Sequence, residues 1–269
     1  MGQFDGKKGI IMGVANQKSI ATAVAKTLHK EGASLGFSYF PDDTGKMEKR
    51  VSGALKDLEP AFLLPCDISK DEDITQFFDK VEQHFGKIDF LVHSIAFAAL
   101  EEIRKPTLEV SRKGFLEAMD ASAYSLIAAA QRASSLMEQG GSICAMTYFG
   151  GEKVIPGYNL MGVCKSALDH SIRYLAYDLG AKGIRCNGVS AGPIRTLASS
   201  AVGDFKEMLH VNAAMSPLGQ NVTADDVGRS TAYLLSDMAQ AVTGEILHVD
   251  SGYHVMGAPT PRLKEHLRS

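Results

Sequence analysis

Residues 9–39 read GIIMGVANQKSIATAVAKTLHKEGASLGFSY. Gly9 to Gly13 is an apolar run bounded by glycine, Ile20 to Glu31 has the length of a helix, and Ala33 to Tyr39 is apolar again. This succession of strand, helix and strand reads as a βαβ unit, in which the two strands lie parallel and the crossover is right-handed.

The same alternation continues along the chain. Ala61 to Cys66, Ile88 to His93, Ser142 to Thr147, Ile184 to Ser190 and Glu245 to Val249 are further short runs bounded by turn formers, which makes seven predicted strands. Several are apolar throughout rather than alternating, as strands covered by helices on both faces are. Asp71 to Phe85, Ser111 to Met137, Tyr158 to Gly180 and Ala224 to Asp237 have helix length. In the segment from Tyr158, the positions Leu160, Val163, Cys164, Ala167, Leu168, Ser171, Ile172, Leu175, Ala176 and Leu179 follow an i, i+3, i+4, i+7 stripe. The expectation is a single α/β domain of Rossmann type, a doubly wound parallel seven-stranded sheet with helices on both faces. The domain spans residues 1–257, with a small lid at about 196–217 and a frayed or interface-dependent tail at 258–269.

Composition narrows the function classes. With 269 residues, 45% of them apolar, the chain can bury a self-sufficient core without disulfides or metal. Its 28 basic residues against 31 acidic ones, with no long run of either sign, lack the cationic stripe that nucleic acid requires. Cys66, Cys144, Cys164 and Cys186 are widely spaced and form no CxxC pair, which suits reduced thiols in the cytoplasm. The start MGQFDGKKGIIMG has no export or lipidation pattern, and no run approaches the ~18 apolar residues of a membrane span. The histidines are scattered without an H-x-x-x-H pattern, so no metal site is expected, and only His93, at a strand end, invites a functional reading beside its structural one.

The first turn, Gly13-Val-Ala-Asn-Gln-Lys-Ser19-Ile20, leads from a strand straight into a helix, whose free amides and dipole favour a pyrophosphate. The usual G-x-G-x-x-G is absent, and Gly13 as a plain turn glycine with Ser19 as an N-cap is the other reading. After the second strand comes Tyr39-Phe40-Pro41-Asp42-Asp43, without the arginine that would meet a 2'-phosphate. The two carboxylates favour NADH over NADPH, despite Lys46, Lys49 and Arg50 downstream. Phe40 either stacks on adenine or packs in the core. Asp67-Ile68 and Ser94-Ile95 close the third and fourth strands, where this architecture places ligands, with Asp67 as a helix N-cap the alternative.

Tyr148 follows the fifth strand, and Tyr158 and Lys165 lie seven residues apart in the predicted helix that follows. At ~100° per residue, that spacing returns to nearly the same direction, so both heads can face one cleft. An ammonium near a phenol favours phenolate and strengthens the hydroxyl as a donor, and the same lysine can hold ribose hydroxyls. For a lone tyrosine on such a helix, ordinary packing is the alternative.

On these residues the chain resembles the short-chain dehydrogenase/reductase superfamily, and within it the NADH-dependent enoyl-acyl-carrier-protein reductases of bacterial fatty-acid synthesis. The resemblance spans about residues 3–257. It rests on Gly13 to Ile20, Cys66-Asp67-Ile68, His93-Ser-Ile-Ala-Phe97-Ala98, Tyr148, Tyr158-x6-Lys165, Ser190-Ala-Gly-Pro-Ile-Arg-Thr196 and His248-Val-Asp-Ser-Gly252. Most ketone and alcohol reductases of the superfamily carry Tyr-x3-Lys, a spacing that Tyr158, Tyr174 and Tyr177 all fail to meet. Phe40 stands where many relatives are polar, and Ala96 and Ser251 where glycine is frequent.

The resemblance implies that Tyr158 donates to the substrate's thioester carbonyl, that Lys165 holds the nicotinamide ribose, and that Tyr148 and Ala98 line the acyl site. It implies that Gly13, Ser19 and Ile20 approach the pyrophosphate, Asp67 and Ile68 the adenine, Ile95 the ribose or adenine side, and Ile194, Arg195, Thr196, Leu197 and Ala198 the nicotinamide, with Arg195 as a surface charge the alternative; Phe40 and Ser94 are cofactor candidates from their strand-end positions alone. An acyl-carrier protein would deliver the substrate, and a homotetramer is the usual assembly of such relatives. Residues 196–217, with Phe205, Met208 and Leu209 as apolar walls, read either as a substrate lid or as a fixed surface helix. The alternatives are a ketone or alcohol reductase of the same superfamily and a non-catalytic dinucleotide sensor.

Overall fold

The computed structural model describes residues 2–196 and 205–266, with side chains through 263. Its framework is one parallel sheet of seven strands in the order β3-β2-β1-β4-β5-β6-β7. The strands are β1 (Lys8–Met12), β2 (Ser34–Tyr39), β3 (Phe62–Pro65), β4 (Phe90–His93), β5 (Gly141–Thr147), β6 (Ile184–Ala191) and β7 (Ile246–Val249). Each lies within a few residues of the run predicted for it. Wholly apolar strands arise because both faces are covered. Ile10 and Met12 pack into one core, while Ile11 between them packs into the other. Ile143 and Ala145 alternate with Cys144 and Met146 in the same way. All four cysteines are buried and free.

The helices are α1 (Ile20–Lys30), α2 (Lys46–Leu55), α3 (Asp71–Phe85), α4 (Leu100–Arg104), α5 (Arg112–Met119), α6 (Ser125–Ser135), α7 (Asn159–Gly180), α8 (Phe205–Met215), α9 (Ala224–Leu235) and α10 (Pro261–His266). The segment expected as one helix from Ser111 to Met137 is instead α5 and α6 joined by a π-turn at Asp120–Tyr124. Ser111 caps its start by accepting from the Gly114 amide. The widened turn directs Ser122 out of the helix. Its hydroxyl accepts from the Phe97 amide and donates to the Phe97 carbonyl, both at 2.9 Å, tying the loop after β4 to the helix.

The tail also departs from expectation over its described part. Thr260 donates to the Ala214 carbonyl, the Arg262 guanidinium to the Ser216 carbonyl at 2.5 Å, and Leu263 is buried. The turn leading into α10 therefore packs against the end of α8 rather than fraying. Its few apolar residues hid this, because the anchoring comes from side chains reaching backbone carbonyls.

The chain runs outward from β1 through β2 to β3, then returns to place β4 on the other side of β1. At this reversal the crossovers leave in opposite directions and open a crevice beyond the strand ends. Met12 and His93 stand side by side at its base.

Candidate active site

The crevice is a cavity of about 410 Å³ at the C-terminal ends of β1, β4, β5 and β6. Gly13, Ser19, Ile20, Ser94 and Ile95 line one part, and Ala98, Tyr148, Tyr158, Lys165, Ile194 and Thr196 the rest. Phe205 and Met208 of α8 close one side. The wall is mostly apolar, with its hydroxyls and its one ammonium converging from different elements.

The first turn suits an anion. Gly13 has φ +102°, and a Cβ there would lie 2.1 Å from the Ser94 carbonyl oxygen, so only glycine lets the β1 and β4 ends meet. Ser19 occupies the N-cap position of α1 but makes no capping hydrogen bond. Its hydroxyl faces back and accepts from the Ala15 and Asn16 amides at 3.1 and 3.0 Å. The first-turn amides of α1 are thus left without a side-chain cap at the positive end of the helix dipole, which is the environment a dinucleotide diphosphate requires. Turn glycine and N-cap position are both real here, and both residues line the cavity.

Tyr148 continues the extended backbone of β5, and a 3-10 turn at Phe149–Gly151 follows it. Phe149 sits edge-on to His248, Tyr253 and His254, which braces that turn against the end of β7. Tyr158 is not within the helix, as its spacing from Lys165 had suggested. It is the N-cap residue of α7, with φ −112° and ψ 15°. The chain entering α7 folds the Tyr158 ring against Tyr148, and Tyr158 and Lys165 line the same cavity without sharing one line along a helix. The ring centroids are 4.8 Å apart at an interplanar angle of 73°. Gly150 makes this packing possible, since a Cβ there would stand 2.5 Å from Tyr158 Cδ1. Lys165, 5% exposed, donates from Nζ to the Met146 carbonyl at 2.8 Å.

Burial sets the protonation states. It raises the Tyr158 phenol well above its ordinary value, with further upward pushes from Tyr148, Cys164 and Asp169. It raises Tyr148 to about 12 and lowers Lys165 to about 8. The expectation that Lys165 draws Tyr158 toward phenolate is corrected: the phenol stays protonated, because burial and the neighbouring Tyr148, Cys164 and Asp169 all push it the same way. A neutral hydroxyl in a mostly apolar cleft is a hydrogen-bond donor.

Other predicted positions fall outside the cavity wall. Phe40 is exposed beyond the end of β2 and is therefore not a core residue. Asp67 does not cap α3, whose N-cap position is Lys70. It accepts from the Ser69 amide and hydroxyl at 3.1 and 2.7 Å and pairs with Lys70 at 3.1 Å. Ile68 packs against the core beneath the sheet, and Arg195 is exposed. Leu197 and Ala198 lie outside the described residues, as does much of the predicted lid.

Reading the sequence passed over Phe97, Ile103, Met146, Thr147, Ile155 and Met161 as cavity-lining residues. Ile103 comes from the short helix α4 and Ile155 from the segment before α7, neither of which a periodicity marks. His93 is fully buried. The Ser125 hydroxyl spends its hydrogen on the Ala121 carbonyl, so His93 Nε2 donates to Ser125 Oγ at 2.9 Å, and Nδ1 has no partner among the described residues. Burial and the charge of Lys165 lower this imidazole to about 3, which keeps it neutral.

The parallel sheet reversing at β1 and β4, the anion-ready first turn and the tyrosine–lysine cleft together define a dinucleotide-dependent reductase of the short-chain type. The model of the family described as enoyl-(acyl carrier protein) reductase matches residues 13–254, and the chain belongs to that family. It is 45% identical over 252 residues to the NADH-dependent enoyl-acyl-carrier-protein reductase FabI of Nostoc sp., covering 94% of this chain and 98% of the relative. The crystal structure of the Anaplasma phagocytophilum reductase in complex with NAD superposes with a TM-score of 0.92 at 44% identity, over 96% of this chain and 98% of that one. The Aquifex aeolicus NADH enzyme superposes with a TM-score of 0.91 at 44% identity, over 96% of this chain and all (100%) of that one.

Proposed function

We propose that this chain reduces the trans-2 double bond of enoyl thioesters carried on acyl-carrier protein, the last step of the fatty-acid elongation cycle, using NADH. The observation that carries this reading is the protonated Tyr158 phenol, packed on Tyr148 in the cavity that Lys165 also lines. When bound, NADH supplies the hydride that adds to the β-carbon of the substrate.

That addition moves negative charge onto the thioester oxygen, and the site's main task is to stabilise it. Tyr158 donates a hydrogen bond to the developing enolate, in a cavity whose low polarity strengthens the bond relative to water. Lys165 holds the nicotinamide ribose, and Tyr148 and Ala98 shape the acyl site. Gly13, Ser19 and Ile20 take the diphosphate, with Ser94 and Ile95 beside the adenosine and Asp67, Ile68 and Phe40 at its outer end. Ile194 to Ala198 lie along the nicotinamide. Residues 1–257 act as one catalytic unit, with α8 and the segment before it as the substrate cover.

We read the assembly as a homotetramer in the cytoplasm. Exposed apolar residues on the outer helices, among them Phe115, Leu116 and Ile127 on α5 and α6 and Val163, Tyr174 and Tyr177 on α7, support contacts between copies. Among the described residues, no helix is long and apolar enough to cross a membrane. The test is loss of NADH absorbance with a crotonyl thioester, with a β-ketoacyl thioester and with no substrate. Only the first should consume cofactor; consumption with the keto substrate alone would make this a ketone reductase, and no consumption at all a dinucleotide sensor.

A further inference from the structure

Lys165 lies 5% exposed in the cavity wall, and its one described hydrogen bond is to the Met146 carbonyl. A buried ammonium held by a single neutral acceptor loses its proton easily. One helical turn further along α7, at i+4, Asp169 is 3% exposed. An acid buried in a helix that packs on the sheet is expensive unless an opposite charge compensates it.

The surroundings of Asp169 hold it in place without neutralising it. Its carboxylate packs under the turn that follows Tyr148, where a Cβ on Gly151 would come within 2.7 Å of Asp169 Oδ2. Ser166 donates to the Gly151 carbonyl and closes the same seam. Asp169 Oδ1 has no hydrogen-bond partner among the described residues. The Thr147 hydroxyl favours the charged carboxylate, but the two stop short of hydrogen-bond geometry. The carboxylate therefore caps no helix and bridges no strand, and its largest favourable charge partner is Lys165.

We propose that Asp169 is a positioning residue for the dinucleotide subsite: its buried carboxylate, one turn along α7 from Lys165 and packed beneath the Tyr148 turn, keeps Lys165 an ammonium facing the ribose hydroxyls. The inference rests on the reading of Lys165 as the ribose-holding group. Burial pushes Asp169 up and Lys165 down, and each charge pulls the other back toward its ionised form. The Tyr158 phenol, which Asp169 pushes further up, stays neutral beside the pair. Glu152, in the turn after Tyr148, opposes ionisation of Asp169, and Arg173 on α7 assists it. Cys164 is raised by burial to about 11, and His93 on β4 stays neutral.

The test replaces Asp169 by the isosteric asparagine and follows two readouts from pH 6 to 9.5: NADH affinity from cofactor fluorescence, and the titration of Lys165 in the cofactor-free protein by NMR of 13C-labelled lysine, assigned with Lys165→Met. In the wild type, NADH binding should weaken above about pH 8 as Lys165 titrates. In Asp169→Asn both curves should move about one unit or more to lower pH, so that affinity at pH 8 falls about tenfold while at pH 6 it stays within about threefold of wild type. In a Lys165→Met background, adding Asp169→Asn should leave the pH dependence unchanged. A loss equal at pH 6 and pH 8, or an unmoved Lys165 titration, would overturn the proposal and leave Asp169 a packing residue. If Asp169→Asn does not fold, Asp169→Ser removes the same charge from a smaller side chain; a Lys165 titration unmoved from wild type in that variant overturns the proposal as well. A protein that binds NADH but leaves crotonyl thioester untouched refutes the proposed activity without touching this result.

Discussion

The rings of Tyr148 and Tyr158 meet edge to face at 4.8 Å, and the bare Cα of Gly150 leaves room for this approach, since a Cβ there would stand 2.5 Å from Tyr158 Cδ1. One ring belongs to the strand end and the other to the start of α7, so their contact fixes the distance between two elements of the site. In such a pair the quadrupoles add to packing and contribute about 0.5–1.5 kcal/mol.

Tyr158→Phe keeps that packing and removes the donor. Turnover should fall about 10²–10³-fold, while NADH affinity changes less than about threefold. Gly150→Ala should also lower turnover, because the added methyl displaces the Tyr158 ring while the hydroxyl remains. Steady-state kinetics with a crotonyl thioester, beside a fluorescence titration of NADH, separates the two effects; undiminished turnover in Tyr158→Phe removes the phenol from the mechanism.

Gly13→Ala places a Cβ 2.1 Å from the Ser94 carbonyl at a φ of +102°. The β1 and β4 ends must then separate, and the turn must leave its anion-binding shape. We expect a stability loss of about 1–3 kcal/mol and a larger proportional loss of NADH affinity. Thermal melts with and without NADH check this: the cofactor-induced rise in Tm should largely vanish in the variant.

His93 gives the fold an acid limit. Its imidazole has a folded value of about 3 against an ordinary 6.5, so between these pH values the unfolded chain binds a proton that the folded one refuses. Stability therefore falls as pH drops through that window and is unaffected by this group above it. A His93→Gln variant, compared with wild type in denaturant titrations at pH 7 and pH 4.5, should lose less stability on acidification. Equal losses would place the acid sensitivity elsewhere.

The turn into α10 anchors the substrate side. Arg262 and Thr260 reach carbonyls at the end of α8, the helix whose Phe205 and Met208 wall the cavity. Arg262→Ala should raise the KM for the thioester severalfold, leave NADH affinity unchanged and speed proteolysis within 205–217. A variant with the wild-type KM and cleavage rate would detach the tail from substrate binding.

The order of strands and helices was legible along the chain because each apolar run records its own burial, and a parallel sheet buries whole runs. Tyr148, Tyr158 and Lys165, and the turn from Gly13 to Ile20, were legible as candidates, and the fold brings them to one cavity. Other features depended on segments distant in sequence. That Tyr158 enters at the N-cap of α7, that Ser122 within a π-turn holds Phe97, and that Asp169 packs under Gly151 are outcomes of packing. The charges were the least legible of all. A residue's spacing says which way it points, but the dielectric around it is set by whatever else folds against it, and here that burial keeps Tyr158 a phenol and brings Lys165 to about 8.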